Sequence, residues 1–368
     1  MKTQTIKISL VCLAALVSAV GSRAGTITKT NNTDNLNLTT SWVGGVVPGP
    51  LDVAKWDSTV TGANSVALGA NSSWAGILIA NPGGAVAITP GNTLVLGTNG
   101  IDMSRATQSL TIGSGLTLGV AQAWNVTNGT ILAVNGTLTR SAGAALVVGS
   151  SSVAIAGQGT VTATPTLENG VLPWATASSS GAAANGSAAG NTFATVSGGN
   201  IVAYTNATAE TTPGAGVSFG GIPTGDNSTV NYDLSVADTG GNMTNDTYVN
   251  TLRNIGGAYS QPGTANFRAN AIMNAGTGIL AIFTPLQQAD TTLNELVLSA
   301  WTSGITISNV ISDNIHPLTV TIFGSNAPSS TQGAPGSVLF AAQNTFSGGI
   351  TINSRSTVGI RTSSTPAS

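Results

Sequence analysis

The division of the chain into short apolar segments is the feature that most constrains its fold. Between residues 60 and 161 these segments are three or four residues long and are separated by Gly or Asn. Apolar residues alternate with Thr, Ala or Asn, the period of 2 expected of strands with one buried face. No long segment has the helical period of 3.6. The predicted strands are 94–96, 110–112, 116–118, 131–134, 146–148 and 153–155.

A loose internal repeat favours one arrangement of these strands. The form G-x-x-L-x-[LV]-G occurs at 91–97, 113–119 and 143–149. Such spacing is typical of one coil of a parallel β-solenoid, in which neighbouring coils stack and share an aliphatic interior. Glycine and asparagine suit the corners, where the backbone turns sharply. An antiparallel sandwich has the same alternation, so the choice of a solenoid depends on the repeat.

The composition agrees with a backbone-dominated β architecture. Only 7% of the residues are charged, against about 25% in an average soluble domain, and 47 are glycine. Disordered chains are typically rich in charge and poor in Val, Ile and Leu, so ordinary disorder is not expected. The net charge is −2, too weak a field for nucleic acid or an anionic membrane to be an expected partner.

Residues 1–24 are predicted to be a secretory signal peptide. Lys2 and Lys7 precede an apolar run at 8–20, and small residues up to Ala24 suit cleavage after that position. The single cysteine, Cys12, lies in this segment, so the mature chain is expected to lack disulfides, thiol catalysis and thiolate metal sites. No later stretch approaches the roughly 20 apolar residues that cross a bilayer.

The rest of the chain is predicted to contain two solenoid regions. The first covers 25–174, with the residues before Ala54 capping its end, and the second covers 192–368. Between them, 175–191 has no large apolar residue and is read as an Ala/Ser/Gly-rich loop or linker; a degenerate coil of the same solenoid is the alternative. A flexible loop at this place would interrupt the solenoid.

The segment at 336–360 carries a family resemblance. It contains V-L-F at 338–340 and then Q-N-T-F-S-G-G-I-T-I-N at 343–353, which resembles the autotransporter-associated β-strand repeat. Ala342 and Ile350 depart from the Gly and Thr usual in that family. The resemblance implies an all-β, right-handed parallel β-helix that is exported by a bacterium as a passenger-like surface protein. The translocator or anchor found in that family is absent from this sequence if the chain is a fragment, and the sequence leaves open whether it is one.

Each part of this segment has an expected structural role in a parallel β-helix. The two apolar runs are expected to be successive inward-facing strands, with Asn344 bonding backbone groups at a corner. Gly348 and Gly349 let the chain turn, and Phe346 is expected to pack on its equivalent in the next coil.

Few residues suggest chemistry. Asp52 and Asp57 are five residues apart around Trp56, a spacing that places them on no common face of a helix or strand. Asp226, Asp233, Asp238 and Asp246 form the densest acidic region, with asparagines between them. Oxygen ligands in a Gly-rich loop can bind Ca²⁺, but no known Ca²⁺ motif is present and turn-forming roles are favoured.

The remaining candidates are isolated cationic and aromatic residues. His316, the only histidine, precedes a proline and has no evident ligand or triad partners. Arg253 and Arg268 flank Tyr259 and Phe267, a combination suited to a glycan or to an exposed strand rim. The tryptophans are spaced irregularly and are read as core or capping residues, except that Trp174, beside Pro173, is a candidate exposed anchor.

The sequence therefore predicts a secreted or surface-displayed, non-enzymatic β-solenoid with an adhesive or structural role. No catalytic, cofactor-binding or metal-binding residue is assigned. Low charge points to neutral glycans, extracellular matrix or other cells as partners, while a pure spacer would bind none of them. The alternative is a polysaccharide-cleaving enzyme on a β-helix scaffold, which predicts acidic side chains converging in one cleft beside a basic residue.

Overall fold

A computed structural model describes residues 24–149, 159–177, 192–211, 218–237, 239–289, 294–324, 335–353 and 357–360. Several sequence predictions fall outside these ranges. They are nearly all of the predicted signal peptide with Cys12, the strand at 153–155, residues 178–191 of the predicted linker, and Asp238.

The described chain is an all-β, parallel β-solenoid of about 12 turns, as the sequence predicts. Its one helical element in those ranges is a 3-10 turn at Thr39–Ser41. The rungs do not follow one axis, because they are divided between two stacks of coils.

The first stack is a 16-stranded sheet wrapped into coils. Its strands are β1 (Thr26–Thr28), β2 (Val53–Asp57), β3 (Asn64–Val66), β4 (Ser72–Ala80), β5 (Val86–Ile88), β6 (Thr93–Met103), β7 (Leu110–Ile112), β8 (Gly115–Leu118), β9 (Gln122–Val126), β10 (Ile131–Val134), β11 (Leu138–Arg140), β12 (Leu146–Val148), β13 (Thr160–Thr162), β14 (Leu172–Ala177), β15 (Thr192–Ser197) and β16 (Asn200–Ala203).

Parallel pairing between successive coils gives this stack three faces. The first face consists of β1, β2, β4, β6, β9, β12 and β14. The second face consists of β3, β5, β7, β10 and β13. The third face consists of the first halves of β4 and β6 together with β8 and β11. On the first face Ala54, Ile77, Ile101 and Trp124 are in register, each buried and 23 or 24 residues after the last. This column is part of the shared apolar interior.

The predicted strands within the described ranges are confirmed, but the internal repeat is not one structural unit. Residues 94–96 and 116–118 pair in register on the third face. Residues 146–148 lie on the first face, and the true next partner of 116–118 is 138–140. A short G-x-x-L-x-[LV]-G pattern therefore marks a strand between two corners, whichever face the strand belongs to.

Two antiparallel strands close the first stack. β15 pairs with β14, β16 pairs with β15, and β16 also pairs with β13 at Thr162 and Asn200. The β15–β16 hairpin thus joins the first and second faces across the last coil. Residues 192–203, predicted to begin the second region, belong to the first stack, and 175–177 of the predicted linker lie in β14.

The second stack has two parallel sheets. One contains β17 (Thr208–Glu210), β18 (Gly225–Leu234), β19 (Thr247–Asn254), β21 (Phe267–Asn274), β23 (Leu286–Gln287), β24 (Glu295–Ala300), β26 (Thr319–Gly324) and β28 (Ile350–Ile352). The other contains β20 (Tyr259–Gln261), β22 (Leu280–Ile282), β25 (Ile305–Ile307), β27 (Ser337–Phe340) and β29 (Thr357–Ile360).

A 20-residue step sets the first coils of this stack. Asn231, Thr251 and Ala271 are in register, and later coils are lengthened by longer loops. The residues that directly follow these three point inward and are buried; they are Tyr232, Leu252 and Ile272. The signal for this step is N-x-G, at 254–256 and 274–276, which differs from the G-x-x-L-x-[LV]-G pattern of the first stack and was not detected.

Aromatic packing covers the first end of the first stack. The Trp42 ring lies edge-on to Trp56 and Trp74, with centroids 5.8 and 6.0 Å away, and its indole nitrogen donates to the Leu36 carbonyl. Beside them Lys29 is buried, and its ammonium donates to the carbonyls of Thr30 and Asn32 and to the Asn32 side chain. Burial lowers the pKa of Lys29, against the opposing effect of Asp34.

The two stacks pack flank to flank. Their shared apolar cluster includes Val171 and Phe193 of the first stack and Met273, Val297 and Trp301 of the second. The loop before β14 accepts hydrogen bonds from Asn231 and Asn270, in early coils of the second stack. The turn after β11 accepts one from Asn353, in a later coil. The chain therefore doubles back, and β21 and β24 are buried on both of their faces.

The segment at 336–360 forms strands β27, β28 and β29 with the corner between them. Asn344 accepts a hydrogen bond from the Ile311 backbone at 2.8 Å, and Gly349 has φ of 92°. Phe346 packs at the edge of the second core. Ile350 and Ile352 stack on Val320 and Ile322 and are 43% and 49% exposed.

Candidate functional site

The acidic residues near Trp56 hold the backbone in place and do not face a common cleft. Asp52 accepts hydrogen bonds from the Gly25 and Gly49 amides, both at 2.9 Å. Asp57 pairs with Lys55 at 2.7 Å. Burial raises the pKa of Asp57, but hydrogen bonds from Lys55 and Thr59 outweigh it, so the net shift is downward. Both carboxylates therefore have structural roles within the protein.

The acidic region at 226–246 is spread over the surface of the second stack. Asp226 binds the Ser228 amide at 2.9 Å, and the hydrogen bonds from Ser228 lower its pKa. Asp233 pairs with Arg253 of the next coil, and Asp246 accepts from the Asn266 amide at 2.8 Å. In the part of the chain that the structure describes, no three His, Cys, Asp or Glu residues converge as metal ligands.

The isolated cationic candidates are also separated from one another. Arg268 lies over the Tyr248 ring at 4.4 Å and 3.7 Å from Asp246, so both Arg268 and Arg253 bridge neighbouring coils. Tyr259 and Phe267 are buried rather than displayed beside them. His316 lies exposed in a bend between coils.

A cleft of about 470 Å³ between the two stacks brings together the groups best suited to ligand binding. We call it the inter-stack cleft. Its lining is Arg140, Thr166, Leu167, Glu168, Asn169, Pro173, Trp174, Asn270, Glu295 and Val297. Neither stack alone forms it, because residues up to Trp174 come from the first stack and the last three from the second.

One wall of the inter-stack cleft is a closed ion pair. Arg140 donates to both carboxylate oxygens of Glu295 and to the Ala144 carbonyl at 3.0 Å, and Thr321 donates to the same carboxylate. The Arg140 guanidinium also lies over the half-buried Trp174 ring, 5.3 Å from its centroid. Both charges of the pair are thus neutralised within the protein.

The opposite wall is held by a ladder of buried amides. The Asn270 side chain donates to Glu168 at 3.0 Å and to Asn250 at 2.9 Å. Asn250 in turn donates to Asn231 at 2.8 Å and to the Glu168 carbonyl at 3.0 Å. Hydrogen bonds thus connect the loop carrying Glu168 to three successive coils of the second stack.

A second surface lies on the outer side of the sheet formed by β20, β22, β25 and β27. It is a shallow trough of about 650 Å³, and none of its lining residues in the described ranges is charged. Small and apolar side chains form it, among them Ser260, Ala281 and Thr306 along its floor and the 44% exposed Phe283 at its side. We call it the neutral trough.

Sequence reasoning found only Trp174 among the residues of the inter-stack cleft. The ring is half-buried rather than freely exposed, and it does line the candidate site. Arg140, Glu168 and Glu295 were missed because they are 28 to 155 residues apart in the chain. One signal was available: Leu296, Val297 and Leu298 form an unbroken apolar run, which indicates a strand buried on both faces and thus a second packing partner.

Comparisons with known proteins identify no relative. No protein-family model matches the chain, no curated protein is significantly similar to it, and no solved structure matches it significantly. In the described residues no helix is long and apolar enough to span a membrane.

Proposed function

We propose that this chain is a secreted or surface-displayed, non-enzymatic β-solenoid protein with an adhesive or structural role. The observation that carries the proposal is an uncharged outer row along the second face of the first stack. On the second face of the first stack the outward residues in register are Ser65, Ala87, Thr111, Ala133 and Thr162. Such a flat row presents hydroxyl and methyl groups at the spacing between neighbouring strands, and an extended partner can bind along it.

The distribution of charge supports a neutral partner. Arg140, Arg253 and Arg268 each pair with a carboxylate of the protein, and Lys55 pairs with Asp57. Charges paired in this way attract ions weakly, so neutral glycans, matrix or other cells are the expected partners. The predicted signal peptide at 1–24 and the resemblance at 336–360 support export and surface display.

Adhesion in high salt tests this proposal. We expect the immobilised full-length chain to retain cells or neutral polysaccharide equally in about 0.1 M and about 0.5 M NaCl, because added salt screens only charge-based contacts. A chain of similar size that lacks a solenoid serves as the control surface. Retention no better than this control would remove the adhesive role, and retention abolished by salt would contradict a neutral partner.

A polysaccharide-cleaving enzyme is the second candidate, and the inter-stack cleft favours it. Glu168 and Glu295 line this cleft together with Arg140, the combination that the enzymatic alternative predicts. Against it, Arg140 and Thr321 occupy the Glu295 carboxylate, which leaves that group poorly placed to transfer a proton. The closed pair therefore favours the non-enzymatic role.

Product release separates the two candidates. The enzymatic reading predicts new reducing ends, or unsaturated sugars absorbing in the ultraviolet, when polysaccharide is incubated with the protein. It also predicts that Glu168→Gln abolishes this release. We expect no release by the unaltered chain, whereas release that Glu168→Gln removes would establish the enzyme instead.

A further inference from the structure

The backbone of Gly25 connects the start of the first stack to the next coil. Its amide nitrogen donates to an Asp52 carboxylate oxygen at 2.9 Å, and its carbonyl accepts from the Val53 amide at 2.8 Å. Gly25 is half-buried, whereas Ala24 before it is exposed. The residue that directly follows the predicted cleavage position is therefore held through both of its backbone polar groups.

The Asp52 carboxylate has amide donors but no cationic partner in the part of the chain that the structure describes. Its second oxygen accepts from the Gly49 amide at 2.9 Å. The ion pairs found in the described ranges belong to other carboxylates, and their cations are Lys55, Arg140, Arg253 and Arg268. Asp52 is half-buried, so its charge is only partly solvated. A cation at the Gly25 nitrogen would complete its set of partners.

The charged groups on neighbouring elements have partners of their own. Lys29 and Asp34 interact with each other beyond the C-terminal end of β1, and Lys55 of β2 pairs with Asp57. The segment 43–51, which leads into Asp52, has no titratable residue, and neither has strand β4 of the next coil. The Gly25 nitrogen is thus the group positioned to meet the Asp52 charge.

Cleavage after Ala24 changes the chemical nature of that nitrogen. Hydrolysis of the Ala24–Gly25 peptide bond consumes one water molecule, leaves a carboxylate on Ala24 and converts the Gly25 nitrogen into an ammonium group. A neutral amide with one donor becomes a cation with three. Hydrogen bonds between charged partners are roughly twice as strong as those between neutral ones. Processing therefore supplies a cation at the place where Asp52 accepts.

We propose that signal-peptidase cleavage after Ala24 creates an ion pair between the Gly25 ammonium and the Asp52 carboxylate, and that this pair anchors strand β1. The inference rests on the export included in the proposed function, to which it adds the processing position and a structural result of processing. In the strand order of the first face β1 is outermost and pairs in parallel only with β2. A charged anchor at its first residue opposes fraying of this edge.

The ion pair has a definite dependence on pH. An α-amino group has an ordinary pKa of about 7.7–8.0, and an opposite charge at hydrogen-bonding distance raises this pKa. The stabilisation is therefore present near neutral pH and is lost as the pH rises through the raised pKa of the amine.

Mass spectrometry of the exported chain tests the processing position. We expect the full-length precursor, expressed in a bacterium, to yield an exported product whose first residue is Gly25. A product that begins at any other residue would move the ammonium away from Asp52 and overturn the inference. A precursor that is never cleaved would overturn it as well, together with the export on which it rests.

Titration of the amine in this exported product tests the ion pair. Competitive acetylation, followed by mass spectrometry of the N-terminal peptide, gives the pKa of the α-amino group. We expect a pKa about one unit above the ordinary value in the unaltered chain, which means about tenfold tighter proton binding. Asp52→Asn keeps an acceptor but removes the charge, and it should return the pKa to about 7.7–8.0.

Asp102→Asn is the matched control. Asp102 lies on β6, and its carboxylate accepts from the Ser104 amide at 2.9 Å, so this variant removes the same charge away from Gly25. It should leave the raised pKa of the amine unchanged. Circular dichroism confirms that both variants fold.

The outcomes separate the ion pair from the adhesive role. A raised pKa that falls in Asp52→Asn but not in Asp102→Asn supports the inference. An ordinary pKa in the unaltered chain, or a raised one that Asp52→Asn leaves in place, overturns it. Retention of cells by the immobilised chain would then still support the proposed function.

Discussion

Single amide side chains connect the two stacks. Asn250 is buried, donates to Asn231 at 2.8 Å and to the Glu168 carbonyl at 3.0 Å, and accepts from Asn270 at 2.9 Å. Each of these bonds satisfies a polar group that is buried between the stacks. A buried polar group without its partner costs far more than the net gain from one hydrogen bond.

We therefore expect Asn250→Ala to lower the free energy of unfolding by about 3 kcal/mol, because several groups lose their partner at a cost of about 1–3 kcal/mol each. Urea unfolding followed by circular dichroism measures the change. Asn128→Ala, at an exposed turn asparagine, is the control and should stay within about 0.5 kcal/mol. Equal shifts in the two variants would contradict the role of the ladder.

Asp313 connects two coils near the end of the second stack. Its carboxylate accepts from the Leu318 amide at 2.7 Å and from the Ser347 amide at 3.0 Å and hydroxyl at 2.7 Å. The Leu318 hydrogen bond, followed by those from Ser347, lowers the pKa of Asp313. The ionised form is thus favoured in the folded protein.

A pH titration tests this contact. Since the folded pKa is lowered, the stabilisation is complete above the unfolded pKa of about 3.9 and is lost as the pH falls through the folded pKa. We expect Asp313→Asn to lower the melting temperature near neutral pH. The gap from the unaltered protein should close when both are acidified to about pH 2. A gap that is constant over this range would contradict the linkage.

At the scale of elements, the β15–β16 hairpin decides where the first stack ends. Its strands pair antiparallel with β14 and with each other, whereas the paired strands of the preceding coils are parallel. Ala194 of β15 is buried in the first core, so the hairpin also covers the apolar interior of the last coil. Closing an open end protects unpaired strand edges.

Ala194→Asp should open this end. A buried, unpaired carboxylate costs several kcal/mol, and we expect faster amide exchange in β12, β13 and β14 than in the second stack. Ser197→Asp, on the same strand but exposed, is the matched control. Hydrogen-exchange mass spectrometry distinguishes the two. Uniform loss of protection across both stacks would show instead that the molecule unfolds as one unit.

The elements also show what could be read from the sequence. Strands such as β7 and β8 were predicted because alternation and flanking glycines are local signals. The hairpin was missed because β15 and β16 show the same alternation whether they pair parallel or antiparallel. The assignment of 143–149 as a third copy of the repeat placed β12 on the wrong face, because every corner of a coil has similar turn chemistry.

At the scale of the whole molecule, Gly143 is a point of close contact between the stacks. It has φ of 77°, and a Cβ atom there would lie 2.5 Å from the Thr351 hydroxyl of the second stack. Its backbone carbonyl also accepts a hydrogen bond from Asn353 at 3.0 Å. Gly129 has φ of 82° and open space around it, so the two positions differ only in the contact between stacks.

Gly143→Ala and Gly129→Ala form a matched pair. Both incur the cost of positive φ, about 1 kcal/mol. Only Gly143→Ala also forces the stacks apart, for which we expect a further loss of about 1 kcal/mol or more. Urea unfolding gives the energies, and small-angle scattering should show expansion for Gly143→Ala alone. Indistinguishable variants would mean that the stacks tolerate separation at this point.

The sequence by itself determined that the chain forms short, stacked parallel rungs with an aliphatic interior and glycine or asparagine at the corners. Those properties depend on neighbours a few residues apart and on one coil resembling the next. Only the tertiary structure decided that the rungs form two stacks, that the second doubles back onto the first, and that Arg140, Glu168 and Glu295 meet around Trp174. The physical reason is that contacts between residues as far apart as Arg140 and Glu295 depend on how whole stacks pack. The periodicity of residues that are close in sequence contains no information about that packing.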